Sequence, residues 1–147
     1  MAVKPVGAWN AREAIDRVVL DADDRQRRRI VLTGENGTRF LLDLKRPISL
    51  RNGDGLVLDD GGVVEVHGAA EPLIEISGRG FADMLRFAWH IGNRHTDLQI
   101  VGDRLRIRRD HVLEAMLAQM GASLAPIDAP FDPEAVPQAA GAVNHDH

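Results

Sequence analysis

The apolar positions of this chain change their period once, near the midpoint. Through the first half they fall in short runs separated by turn residues. Ala14 to Leu20 is apolar and β-branched, and the polar turn Asp21-Ala22-Asp23-Asp24 ends it. Arg29 to Thr33 and Arg39 to Leu44 flank Gly34-Glu35-Asn36-Gly37, whose Asn-Gly pair supplies the positive-φ positions of a hairpin. Asn52 to Gly55 and Asp59 to Gly62 are further turns. They bracket Leu56-Val57-Leu58 and precede a strand from Val63 to His67. Short strands broken by regular turns predict a compact all-β module.

The second half brings in helical spacing. Glu71 to Ser77 still alternates as a strand. Phe81, Met84, Leu85, Ala88 and Trp89 then recur at i, i+3, i+4, i+7 and i+8, the stripe of an amphipathic helix. Leu98 to Val101 and Arg104 to Arg108 form a hairpin about Gly102-Asp103. Asp110 is a helix N-cap, Val112, Leu113, Met116, Leu117 and Met120 are the stripe behind it, and Gly121 closes it. Ser123 to Ile127 completes the series as a strand. The order βαββαβ is the ferredoxin-like arrangement. The expected fold is α+β: an all-β domain over residues 1–69, a ferredoxin-like domain over 70–127, and a tail over 128–147. Four prolines from Pro126 onward, many alanines and few core-forming residues predict a disordered tail.

Composition narrows the chemistry. The chain has 147 residues, 44 % hydrophobic and 27 % charged, a soluble globular balance. It has no cysteine, which removes disulfides, thiolate ligands and a cysteine nucleophile together, so a metal site must use imidazole or oxygen. Basic and acidic side chains balance within residues 1–70 and again within 71–120. The whole net charge of −4 therefore sits in the last 27 residues. No global basic field attracts nucleic acid. The basic run Arg25, Arg27, Arg28 and Arg29 follows three aspartates and lacks interleaved aromatics, so it reads as a solvated hairpin face. No apolar run suffices to cross a bilayer, and Met1 to Pro5 has no leader-like apolar core, so a cytoplasmic protein is expected.

Six histidines are the candidate ligands. His90 and His95 lie about 140° apart around a helix and cannot chelate one ion from a single face. If the helix stops at Gly92-Asn93, His95 projects from its end, either as a solvated residue or as a ligand. In Asn144-His145-Asp146-His147, extended backbone points His145 and His147 the same way. They can grip one divalent ion or be a plain polar end. His111, just after the N-cap, reads first as a surface residue, and His67 as strand surface. Ser77-Gly78-Arg79-Gly80, between strand and helix, can cradle an anion. An acylphosphatase-like hydrolase with Arg79 as phosphate holder is the enzymatic alternative. A protein-interaction module with incidental metal binding is the other.

Trp89-His90-Ile91-Gly92-Asn93-Arg94-His95 followed by Asp97-Leu98-Gln99, Asp110-His111-Val112-Leu113-Glu114 with Met116-Leu117 and Gly121, and Leu50 to Leu56 through Asp59-Asp60-Gly61 and Val64-Glu65-Val66 together resemble the UreE urease accessory proteins, a family of nickel metallochaperones. The resemblance spans roughly residues 12–127. It implies a non-enzymatic carrier with a β-rich domain similar to a peptide-binding module and a ferredoxin-like domain that forms a homodimer. It implies delivery of Ni²⁺ to the urease apoprotein complex together with the GTPase UreG. His95 matches the family's metal-binding histidine at the dimer interface, and two copies across a twofold axis offer one ion two imidazoles. His145 and His147 can close the shell. Imidazole also suits Cu²⁺ and Zn²⁺, which can compete. Some members carry a histidine where this chain has Arg109, which leaves His111 a weak ligand.

Overall fold

The computed structural model describes residues 1–135. In the first half, the strands β1 (Ala2–Lys4), β2 (Asp16–Leu20), β5 (Gly55–Val57) and β6 (Val63–Gly68) form a sheet in the order β1-β5-β6-β2. β2 alternates strictly: Asp16, Val18 and Leu20 are buried, Arg17 and Val19 exposed. It pairs parallel with β6, and the other pairs are antiparallel. The hairpin β3 (Arg29–Thr33) and β4 (Arg39–Asp43) is a separate two-stranded sheet. Leu32, Leu42, Val18, Leu20, Leu56, Val64 and Val66 share one core between the two sheets.

Asp16 joins the hairpin to the larger sheet. Its buried carboxylate accepts N–H bonds from Arg17 (2.7 Å), Asn36 (2.9 Å) and Thr38 (3.0 Å). Burial pushes this carboxyl up, but the bonds from Asn36, Thr38 and Arg17 favour the charged form and win, leaving its pKa at about 2. Gly34 lies against the same carboxylate.

The second half is β7 (Ala70–Ser77), α1 (Phe81–Asn93), β8 (Gln99–Val101), β9 (Arg104–Arg108), α2 (His111–Gln119) and β10 (Ser123–Pro130). The sheet order is β10-β7-β9-β8 with every pair antiparallel, which is the expected ferredoxin-like topology. Ile74, Ile76, Leu105 and Ile107 meet Phe87 and Ile91 of α1 and Leu113 and Leu117 of α2 in one core. Asp110 caps α2, accepting from Val112 and Leu113 N–H at 3.0 Å, and Gly121 (φ +89°) closes it. No helix among the described residues is long and apolar enough to cross a membrane.

Four expectations need correction. β1 lies in a stretch whose sequence showed no strand pattern; it forms because β5 offers it a free edge. The phase of the α1 stripe is shifted: Phe87 and Ile91 are the buried residues, and Phe81, Leu85 and Trp89 face outward. α1 is apolar around much of its circumference, so its period alone did not settle which side faces the sheet. The last strand runs on to Pro130 because all eight of its residues pair with β7. Beyond it, Phe131 is fully buried against Leu73 and Ala22, so residues 128–135 are not a loose tail.

Arg25 is the fourth correction. It is 2 % exposed, whereas Arg27, Arg28 and Arg29 are solvated as expected. Its guanidinium donates to the carbonyls of Leu20 (3.2 Å), Leu50 (3.2 Å) and Phe131 and to the carboxylate of Asp132. A buried cation is tolerated only where its donors are met, and here four acceptors from three parts of the chain meet them.

Candidate metal centre

The segment Ile91 to Thr96 ends α1 with a left-handed turn. Arg94 N–H donates to Ile91 O (3.1 Å), His95 N–H to Gly92 O (3.0 Å) and Thr96 N–H back to Ile91 O (3.5 Å). This is the double closure that helices ordinarily make with a glycine just past the cap. Here the residue at that position is His95, with φ +56°, and among the described residues no other non-glycine has a positive φ. Its Cβ crowds the backbone in this conformation. The imidazole is thereby carried off the helix axis and stands exposed.

The other candidates are placed differently. His90 is half-buried, its ring edge-on to Trp89 at 4.9 Å. His111 is the first residue of α2 and exposed. Its neighbouring carboxylates are already occupied: Asp110 caps the helix, and Glu114 accepts from Arg109 (3.0 Å) and from Asp110 N–H (2.8 Å). His67 lies in β6 with Nε2 2.5 Å from Glu65. His145 and His147 fall outside the described residues. Among the described residues no three histidine, aspartate or glutamate side chains gather closely enough to hold an ion. Among the described residues one chain thus presents His95 without companion ligands, and an ion that takes about four to six donors needs roughly three to five more from further groups.

Two neighbours bear on what the site can do. The outward stripe of α1 is 79 % exposed at Phe81, 55 % at Leu85 and 64 % at Trp89, and it runs toward the His95 end of the helix. These three side chains leave on the order of 300–400 Å² of apolar surface in water. With Ala88, Ile100 and Leu105, the first two residues of the stripe line a groove of about 400 Å³. The sequence contained this signal as an apolar helix with more apolar positions than one face needs. At the opposite end of α1, Arg79 N–H is taken by the Asp83 carboxylate (3.1 Å), which also receives Arg86 (3.3 Å). An anion entering the Gly78-Arg79-Gly80 loop would meet that carboxylate. The phosphate-cradle reading of Arg79 has no support from this geometry.

Residues 3–69 match the model of the UreE urease accessory protein N-terminal domain, and residues 71–147 match that of its C-terminal domain. A urease accessory protein UreE of Rhodopseudomonas palustris is 52 % identical over 147 residues, covering 99 % of this chain and 69 % of its own. Those of Beijerinckia indica and Rhodobacter capsulatus are 46 % and 42 % identical, with 99 % of this chain covered in each case and 84 % and 90 % of theirs. Against some other relatives the chain spans under two thirds of their length, 64 % for one from Bradyrhizobium. With both domain models matched in order along the whole chain, the protein belongs to the UreE urease accessory protein family.

Proposed function

We propose that the chain is a cytoplasmic, non-enzymatic nickel metallochaperone that hands Ni²⁺ to urease during maturation of the urease active site. The observation that carries this reading is His95: an exposed imidazole held in a glycine conformation, without companion ligands among the described residues, at the end of an apolar helix face. A lone histidine becomes a metal site when a second copy supplies another. A homodimer packed through Phe81, Leu85 and Trp89 buries the stripe and brings the two His95 residues toward the symmetry axis.

His145 and His147 then supply donors that close the shell, and His111 contributes weakly at most. A site of few, exchangeable imidazoles suits a carrier, since its cargo must leave. Cu²⁺ and Zn²⁺ compete because imidazole does not discriminate strongly among these ions. Imidazole binds metal in its neutral form, so affinity falls below about pH 6. The recipients are the urease apoprotein complex and its GTPase UreG. Calorimetric titration of tag-free protein with Ni²⁺, beside His95→Ala, tests the reading. Binding near one ion per two chains, abolished by the substitution, is expected. Binding untouched by the substitution overturns it.

A further inference from the structure

We propose that five exposed cations at the root of the β3–β4 hairpin, Arg27, Arg28, Arg29, Lys45 and Arg46, form a docking ridge for an acidic face of the protein that receives the metal. The proposal rests on the delivery reading given above and concerns where the recipient sits.

The fold brings these residues together. β3 and β4 pair with Arg29 opposite Asp43. The ladder continues past both strands. Leu44 N–H donates to Arg28 O (2.9 Å), and the Arg28 guanidinium donates to Leu44 O (3.2 Å). The same register sets Arg27 opposite Lys45. Leu50 N–H then donates to Arg25 O (2.9 Å), which returns residues 45–49 to the same segment. All five cations are exposed.

Their surroundings differ from those of other arginines in the fold. Arg17 meets Glu35, Arg86 meets Asp83, Arg104 and Arg106 meet Glu75, and Arg109 meets Glu114. Arg108 meets three carboxylates. Among the described residues, none of the five ridge cations has a carboxylate at ion-pair distance, Asp43 included. A cluster of uncompensated charge repels itself and attracts an oppositely charged surface, which speeds and orients encounter.

Placement and size say what docks. Arg46 to Ser49 form one wall of a cleft of about 500 Å³, and Asp97 and Glu134 line the other. Asp97 is two residues past His95, at most about 7 Å along the backbone. A protein seated on the ridge thus stands beside the loop that presents His95. The ridge is three residues long on each side, about 10 Å, and Asp24, Asp43, Asp97 and Glu134 border it. A nucleic-acid backbone would run on into those carboxylates, whereas a compact acidic knob on a protein stops short of them. No aromatic side chain lies among the five to stack a base.

Two triple variants of the full chain test this. Arg27→Gln/Lys45→Gln/Arg46→Gln neutralises the ridge, and Arg27→Glu/Lys45→Glu/Arg46→Glu reverses it. Both keep Arg28 on Leu44 and Arg29 beside Asp43, and the neutral variant serves if reversal unfolds the hairpin. Lys4→Gln/Arg12→Gln/Arg39→Gln removes the same charge elsewhere on the β-rich domain. Surface plasmon resonance follows binding to UreG and to the urease apoprotein complex at low and high salt, and Ni²⁺ titration runs beside it. A factor of about two per lost pair, within the range for exposed charges, compounds to about eightfold weaker binding for the neutral ridge variant. Reversal should cost more. The loss should lie in the association rate and shrink at high salt. The control should bind as the parent does, and every chain should bind Ni²⁺ alike. An unchanged ridge variant, or equal losses in ridge and control variants, overturns the ridge and leaves the delivery reading standing. A ridge whose loss weakens binding to duplex DNA alone overturns the choice of a protein. A parent that binds neither protein overturns the delivery reading and the ridge with it.

Discussion

Replacing His95 by glycine separates metal binding from folding at one position. His95 occupies the left-handed turn after α1, where an L side chain costs about 1–2 kcal/mol, the lower end applying to residues such as histidine that tolerate it. Glycine removes that cost but adds unfolded-state freedom worth roughly 0.5–1 kcal/mol. The difference is between zero and about 1 kcal/mol in favour of His95→Gly. For a chain of this size that is a rise of 0 to about 4 °C in melting temperature. His95→Ala keeps the Cβ and its crowding and should melt below His95→Gly. Thermal unfolding must be followed with chelator present, because metal bound only to the folded state would stabilise the parent alone. Adding Ni²⁺ should then raise the parent's melting temperature and leave both variants unmoved. If His95→Gly melts more than about 3 °C below the metal-free parent, the imidazole contributes to the fold itself, and the argument that it is held out for a ligand fails.

Three further outcomes follow from particular contacts. The Asp16 carboxyl, at about pKa 2 against an ordinary 3.8, is depressed on folding, so its contribution is present above about pH 4 and lost as pH falls toward 2. Urea midpoints should drop across that window, and Asp16→Asn should be less stable at pH 6 with a difference that narrows at pH 2; Gly34→Ala, whose Cβ would overlap the same carboxylate, should be destabilised as well. Truncation after Ala135 should leave stability intact, whereas truncation after Pro130 strands the Arg25 guanidinium and removes Phe131, a loss of about 3–5 kcal/mol by denaturant titration. Leu85→Glu with Trp89→Glu should give a monomer by light scattering with unchanged circular dichroism; a dimer that survives would place the interface elsewhere.

Much of the second domain was legible because its signals are local. Asp110 caps α2 through its own side chain, Gly121 alone tolerates the conformation that ends the helix, and Gly102-Asp103 turns a hairpin without outside help. Those choices, together with the alternation of β7, determine the order βαββαβ, and the motif ending in His95 made that residue the leading candidate. Its left-handed conformation was not legible, since glycine is the usual marker for that position and histidine conceals it.

What tertiary structure alone decided concerns residues whose partners are distant in sequence. Arg25 looked like one of four solvated arginines, and its acceptors on Phe131 and Asp132 lie more than 100 residues away. The tail looked uniformly featureless, yet a single phenylalanine beyond β10 is buried because Leu73 of β7 and Ala22 of the turn after β2 cover it. α1 carried apolar residues enough for two faces, and only the position of the sheet chose Phe87 and Ile91 over Phe81, Leu85 and Trp89. The sequence by itself determined the elements, because caps, turns and periodicity act within a few residues. The tertiary structure determined which charge is buried, which apolar face stays open and where the chain departs, because burial depends on what lies across the fold.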